Sequence, residues 1–316
     1  MHTTRIPAKK IWAIGGGKGG TGKSFLSASL AIEMGARLGN VILIDADFGG
    51  PNLHTVLAVK DGERDLASFF KNDIPALEDI LLPTPYPGLK LIKGGESAIF
   101  AANLHHAKKL KLIRQLKALP ASGIILDLGP GSAFNTLDFF ILGQPGILVV
   151  TPEPTAVENT YYFLRSCAAR ILRLYAQFYK VAHLAHELSG ELEKGSLSLR
   201  DCLERLNERE ENMGPIFLAA LRSFRPALIV NKARSEKDFL LGPSMADVVR
   251  RYFLIELQFL ATIPYDERVH WSLRKFTPFV YAHPQSGVSC AIKKVAERLT
   301  LPEAQGGEQR VSGLTT

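Results

Sequence analysis

The sequence predicts a doubly wound α/β fold, a mostly parallel sheet with helices on both faces, and three observations carry that expectation. Short apolar runs without alternation recur at 11–14, 41–44, 124–126, 147–150, 227–230 and 259–263, as expected of strands buried on both sides. Segments of helical character separate them, the pattern of βα units around one parallel sheet. A glycine-rich stretch, GGGKGGTGKS at 15–24, lies between the first run and the first helical segment, and aspartates close the runs at 41–44 and 124–126.

The chain of 316 residues allows one large α/β domain or two ordinary ones, and 46% hydrophobic residues with a mean hydropathy of +0.06 allow a sizeable core. No apolar run approaches the roughly 18 residues of a membrane span, and the N-terminus has no signal-peptide pattern. Cys167, Cys202 and Cys290 are scattered, which argues for a reducing, cytoplasmic compartment and against a disulfide framework or a zinc site. The net charge of +7 permits contact with nucleic acid or anionic lipid, but a modest excess spread along the chain is also simply a solvated surface.

Residues 1–10 form a polar, basic arm expected to be flexible. The strand at 11–14 feeds the loop, and a helix follows at 25–38. Within the loop, Gly17 to Ser24 spells G-x-x-x-x-G-K-S in the strand–loop–helix setting that a phosphate-binding loop requires. Gly17, Gly19, Gly20 and Gly22 let backbone N–H groups around Thr21 curl about a polyphosphate that Cβ atoms would obstruct. The helix start adds its dipole and unpaired N–H groups. Lys23 is placed to reach the β- and γ-phosphates, and Ser24 Oγ to ligate Mg²⁺.

Lys18 is a second lysine inside the glycine run. With it, GKGGTGKS resembles the deviant phosphate loop of the MinD/ParA ATPases, a group that includes the flagellar-number regulator FlhG, Mrp and the nitrogenase iron protein. The resemblance implies a P-loop ATPase that binds ATP and Mg²⁺ and closes into an ATP-sandwich homodimer. In such a dimer the early lysine, here Lys18, reaches the partner's nucleotide and joins Lys23 in the catalytic set. It also extends the nucleotide-binding residues to Phe25, the first residue past the loop.

The strand at 41–44 runs into Asp45-Ala46-Asp47-Phe48-Gly49. Carboxylates at i and i+2 on a strand end point to one side, where one can hold metal-bound water and the other can orient or deprotonate the attacking water. The motif is similar to the family's D-x-D-x-G switch, which implies that Asp47 activates the water and that Asp45 serves the magnesium. Asn52 falls where the family has a switch asparagine. Residues 53–82 read as short helices broken by Gly62 and Pro75, 83–88 as a proline-rich turn, and 89–92 as a strand. A basic helix is expected at 101–119, with His105, His106, Lys108, Lys109, Lys111, Arg114 and Lys117. It is either the solvated face of a sheet-covering helix or a dock for nucleic acid or lipid.

The run at 123–126 ends in Asp127-Leu128-Gly129-Pro130-Gly131. An aspartate closing a buried strand before a glycine loop is placed to hold Mg²⁺ through water, with Gly129 offering its N–H to the γ-phosphate. DLGPG matches the family pattern D-x-G-x-G. A helix at 134–142, a strand at 146–150 and the segment Thr151-Pro152-Glu153-Pro154-Thr155-Ala156 follow. That segment resembles the turn of the MinD and FlhG branches.

From 157 to 225 the chain departs from the compact family pattern as a long helical stretch with expected breaks at Gly190, Gly195 and Gly214-Pro215. The strand at 227–230 ends in Asn231-Lys232, and by resemblance the asparagine reads the adenine edge, with Lys232 beside it. A helix is expected at 242–257 and a strand at 259–263. Pro264-Tyr265-Asp266 resembles the family's I-P-x-D loop packed beside the base, which assigns Pro264 and Asp266 to the nucleotide site. A basic helix at 269–276, an amphipathic helix at 288–299 and a polar tail at 301–316 complete the chain.

The expected organisation is a flexible arm (1–10), an ATPase domain (11–300) with a helical insertion at about 165–225, and a flexible tail (301–316). The function implied is a slow ATP-hydrolysing switch that positions a structure such as flagella or the division site. Its partners would be a second copy, an activating protein, and a membrane or DNA surface that the sequence permits but does not specify, including peripheral contact at the inner membrane. A ParA-like partitioning ATPase and a cofactor-handling ATPase on the same scaffold are the alternatives. The TPEPTA turn and Asn231-Lys232 favour the MinD/FlhG branch, and the unpaired cysteines speak against the iron–sulfur members.

Overall fold

The computed structural model describes residues 9–59, 64–71, 73–95 and 106–301. Its centre is an eight-stranded sheet in the order β3-β4-β2-β5-β1-β6-β7-β8. The strands are β1 (Lys10–Gly15), β2 (Val41–Ala46), β3 (Leu81–Pro83), β4 (Leu89–Ile92), β5 (Gly123–Leu128), β6 (Gly146–Val150), β7 (Ala227–Ala233) and β8 (Gln258–Pro264). All pairings are parallel except β3 against β4. The doubly wound fold expected from the apolar runs is therefore the observed one.

Each central strand feeds two cores because successive side chains point to opposite faces. Ile11 and Ala13 of β1 join one cluster, while Trp12 and Ile14 join the other. Over one face lie α1 (Lys23–Leu38) and the carboxyl-terminal helix Gly287–Thr300, contributing Leu26, Leu30 and Met34, and Val288, Ile292 and Val295. Over the other lie α4 (His106–Ala118), α5 (Phe134–Leu142) and α6 (Pro154–Phe178). Between α1 and α4, the short helices α2 (Leu53–Val56) and α3 (Leu66–Phe70) and a 3₁₀ turn (Leu77–Ile80) follow the second strand.

The segment read as short helices up to 82 ends instead in β3, whose Leu81 and Leu82 pair with Ile92 and Leu91. Pro83 belongs to that strand and not to a turn, which its edge position tolerates because a proline has no N–H to contribute to a ladder. Lys9, read as part of a flexible arm, has its ammonium on the carbonyls of Leu116, Lys117 and Leu119, where a cation meets the negative end of α4. The remaining arm (1–8), the Gly62 break, the start of the basic helix at 101–105 and the tail beyond Leu301 lie outside the described residues.

The long helical stretch comprises α6, α7 (Ala182–Lys194), α8 (Leu199–Arg209) and α9 (Met213–Ser223). Gly195, in the left-handed region at φ 77°, ends α7 as expected of a glycine C-cap. Gly190 lies inside α7 and breaks nothing, and Gly214-Pro215 opens α9, since proline is compatible with a first helical turn. Ion pairs lace these helices, Arg173 with Glu193 half-buried, and Arg205 with Glu191 and Arg209 with Glu187 nearer solvent. Phe163 of α6 meets Phe140 of α5 edge-on at 4.9 Å, and Phe140 meets Phe224 at 6.2 Å, tying the stretch to the sheet-covering core. Asp138, buried in α5, is paired with Lys109 of α4 and, at 2.5 and 2.9 Å, with Arg170 of α6.

Three further departures are local. The helix expected at 242–257 is α10 (Glu236–Phe253), which starts earlier because Ser235 and Asp238 form a capping box. Gly242 is internal to it; a Cβ there would stand 2.2 Å from the Phe259 ring, so the glycine lets α10 approach β8. The basic helix is α11 (Arg268–Arg274), and a short helix not anticipated, α12 (Phe279–Ala282), precedes α13 (Gly287–Thr300), the last among the described residues.

Candidate functional site

Because β1, β2, β5, β6, β7 and β8 are mutually parallel, their carboxyl ends open on one edge, and the loops leaving them converge there. The loop after β1 occupies the centre. Gly20 and Gly22 take left-handed backbone, φ 76° and 95°, and Gly22 starts α1 with no side-chain cap. The first N–H groups of this helix thus have no side-chain acceptor. A Cβ on Gly17 would stand 2.4 Å from the Asn159 carbonyl oxygen, and one on Gly22 2.4 Å from Asn231 Nδ2, so glycine is required at both. Gly19 has only Pro130 at 4.0 Å.

Two side chains from β7 grip this loop. Asn231, 4% exposed, donates from Nδ2 to the Thr21 carbonyl at 2.8 Å, and Lys232 Nζ donates to the Gly20 carbonyl at 2.8 Å. In this structure both therefore support the loop backbone. Pro264 and Asp266 lie at the end of β8; Asp266 accepts from Arg268 at 3.0 and 2.7 Å. Phe25 is buried in the core against Phe279 at 6.3 Å.

Lys23 is buried, with its ammonium on the Lys18 carbonyl at 3.0 Å. Desolvation lowers its pKa, opposed by the negative charges of Asp127 and Asp47. Asp127 is buried and accepts from Ser27 Oγ at 2.7 Å and from the Ser24 hydroxyl. Asp45 stands beside it and accepts from the backbone N–H groups of Asn52 (2.9 Å), Leu53 (3.0 Å) and Asp47 (3.2 Å). Desolvation raises both carboxyls, Asp45 to about 7 with Asp127's charge adding, and Asp127 to about 6 against its hydroxyl bonds and Lys23. Asp47, half-buried, accepts from Gly49 N–H at 3.0 Å, and a Cβ on Gly129 would stand 2.8 Å from its Oδ1. Asn52 is exposed and meets Asp45 through its backbone.

Lys18 reaches sideways to the turn after β6. Its ammonium is 2.9 Å from Glu153 Oε2 and 2.8 Å from Thr155 Oγ1. Ser27, which bonds Asp127, and Glu153, which touches only Lys18 at the rim, are two contacts that motif reading did not single out. Ser27 was detectable, since it follows Ser24 by three positions and so shares its helix face; Glu153 was not, because it meets Lys18 only through the folded sheet.

The donor set fits Mg²⁺ and a polyphosphate. Hydroxyl and carboxylate oxygens from Ser24, Asp45 and Asp127 suit a hard cation, and two carboxylates of raised pKa side by side call for positive charge. Thr21 Oγ1 is buried with no hydrogen-bond partner, and the glycine cradle leaves helix N–H groups facing the loop. Among the described residues no group of three or more His, Cys, Asp or Glu gathers as a metal site of another type. Among them, too, no helix is long and apolar enough to cross a membrane.

Residues 12–279 match the CobQ/CobB/MinD/ParA nucleotide-binding domain family. The antiactivator FleN of Pseudomonas aeruginosa is 24% identical over 294 residues, spanning 92% of this chain and 86% of FleN. The flagellum site-determining protein YlxH of Helicobacter pylori is 30% identical over 154 residues, 48% of this chain and 51% of YlxH. In fold, the chain is similar to the septum site-determining protein MinD of Pyrococcus horikoshii complexed with Mg-ADP, with a TM-score of 0.63 at 22% identity, covering 92% and 96% of the two chains.

Proposed function

The chain belongs to the CobQ/CobB/MinD/ParA nucleotide-binding family, and on that premise we propose that it is a Mg²⁺-dependent ATPase working as a dimerising switch that positions or limits flagella. The observation that carries this reading is the convergence at one loop of buried Lys23, its ammonium on the Lys18 carbonyl at 3.0 Å, with Asp127, which accepts from Ser27 at 2.7 Å and stands in register beside Asp45. The flagellar assignment, over a division site or a partitioned cargo, is supported by FleN, which is matched across most of both chains, and by YlxH.

In this reading the loop amides of 17–24, with Lys23, hold the phosphates, while Ser24, Asp45 and Asp127 hold Mg²⁺ directly or through water. Bound Mg²⁺ supplies neutralisation of charge on the transferred phosphoryl group. Asp47 takes the proton of the attacking water, and Gly129, packed on it, couples the loop after β5 to that step. Asn231 and Lys232 keep the loop shaped for the phosphates, and Asn231, Pro264 and Asp266 flank the base. Asn52 steadies the segment after β2, and Phe25 anchors the loop's exit in the core. Lys18 of each copy meets the nucleotide of the other in a cytoplasmic homodimer, and an activating protein and a membrane or DNA surface act on that dimer.

Size-exclusion chromatography with light scattering, in ATP and in ADP, tests this. Wild type dimerises with ATP only, Asp47→Ala stays a dimer in ATP, and Lys18→Ala stays a monomer. Oligomers indifferent to nucleotide in all three proteins would remove the switch.

A further inference from the structure

Lys18 is held at both ends by its own chain. Its carbonyl accepts from Lys23 Nζ at 3.0 Å, and its ammonium is bound by Glu153 at 2.9 Å and Thr155 at 2.8 Å. Glu153 is the residue just before α6, and Thr155 lies in the first helical turn after Pro154. A carboxylate is favoured at this position by the helix dipole. Its charge is secured further by the Lys18 ammonium, which holds the carboxyl below the usual range, with Lys232 contributing.

A lysine that must meet a phosphate on another molecule first has to leave these partners. The contact is half open to solvent, with side-chain exposures of 35% for Lys18 and 62% for Glu153, so release needs no unfolding. We propose that Glu153 and Thr155 are positioning residues that retain Lys18 on its own chain and so set the ATP level at which two copies pair. This rests on the dimerising-switch reading above. The two holds are linked through one residue: a Lys23 drawn to bound phosphates lets go of the Lys18 carbonyl and loosens the backbone from which the Lys18 side chain must swing.

An exposed pair of this kind is weak singly but counts twice in a symmetric dimer. Removing it is expected to tighten the dimer dissociation constant by roughly 2- to 30-fold. The measurement is light scattering at graded protein and ATP concentrations in an Asp47→Ala background, where dimers accumulate. Glu153→Gln tightens the dimer by that margin, Thr155→Val does so by less, and added salt narrows the gap between Glu153→Gln and its parent. ATP affinity of the dilute monomer stays unchanged, which separates a hold on Lys18 from general damage to the site. Melting temperatures within about a degree of the parent exclude misfolding.

An unchanged or weaker dimer in Glu153→Gln, with ATP affinity intact, overturns the proposal. If Asp47→Ala alone makes no dimer with ATP, the switch reading itself has failed. That outcome is distinct, because no variant then dimerises.

Discussion

Asp45 and Asp127 are register partners on the neighbouring parallel strands β2 and β5, so two carboxylates, each 1% exposed, stand side by side at the sheet edge. Parallel pairing at this point follows from the continuous runs that precede them, Val41–Ile44 and Gly123–Leu126, which match residue for residue. The result is a pair that resists ionisation until a cation arrives.

The pair makes stability pH-dependent without metal. Both folded-state pKa values, about 7 and about 6, lie above the ordinary 3.8, so the native state binds more protons than the unfolded state between these limits. Their contribution is fully present below about pH 4 and is lost as pH rises through 6 to 7. In EDTA, Asp127→Asn therefore melts higher than wild type by a margin that widens from about pH 5 to pH 8. Wild type gains melting temperature from Mg²⁺ with ADP, and Asp127→Asn does not; differential scanning calorimetry reads both.

Asp47→Ala is expected to lower ATP turnover by roughly 10²- to 10⁴-fold, the worth of a positioned general base, while fluorescent-nucleotide affinity holds. Gly129→Ala lowers turnover in the same direction, because its Cβ would displace an Asp47 oxygen now 2.8 Å away. A phosphate-release assay at saturating ATP decides both.

Asn231→Ala removes the 2.8 Å bond that holds the Thr21 carbonyl. Leaving that acceptor unpaired destabilises by about 1–3 kcal/mol, and the loosened loop binds ATP more weakly. Urea unfolding with nucleotide titration measures the two effects, and unaltered values in both would show that the loop holds its shape unaided.

Asp138→Ala leaves the buried Lys109 and the half-buried Arg170 without their shared carboxylate. The expected loss is about 3–5 kcal/mol, far above that of an exposed pair. Replacing all three by apolar residues of similar volume restores most of it. Chemical denaturation of the single and triple variants provides the comparison.

Much of the candidate site was legible in the sequence because its motifs are local. Glycine spacing, the lysine and serine at the helix start, and aspartates at strand ends are fixed by neighbours a few bonds away. The strand–loop–helix order follows from apolar runs that only a buried parallel sheet accommodates. The elements misread were those where a neighbour distant in the chain decided. Leu81–Leu82 is a strand because β4 offers an edge. Gly242 sits inside α10 because Phe259 needs the space.

By itself the sequence determined that this chain carries a phosphate loop with a second lysine, two acidic strand ends, and the sheet that aligns them. Only the tertiary structure decided that Asp45 faces Asp127, that Asn231 supports the loop through Thr21, and that Lys18 is held by Glu153. The physical reason is range: motif chemistry is set by covalent spacing, whereas these contacts depend on strand order and helix docking, which no local pattern encodes.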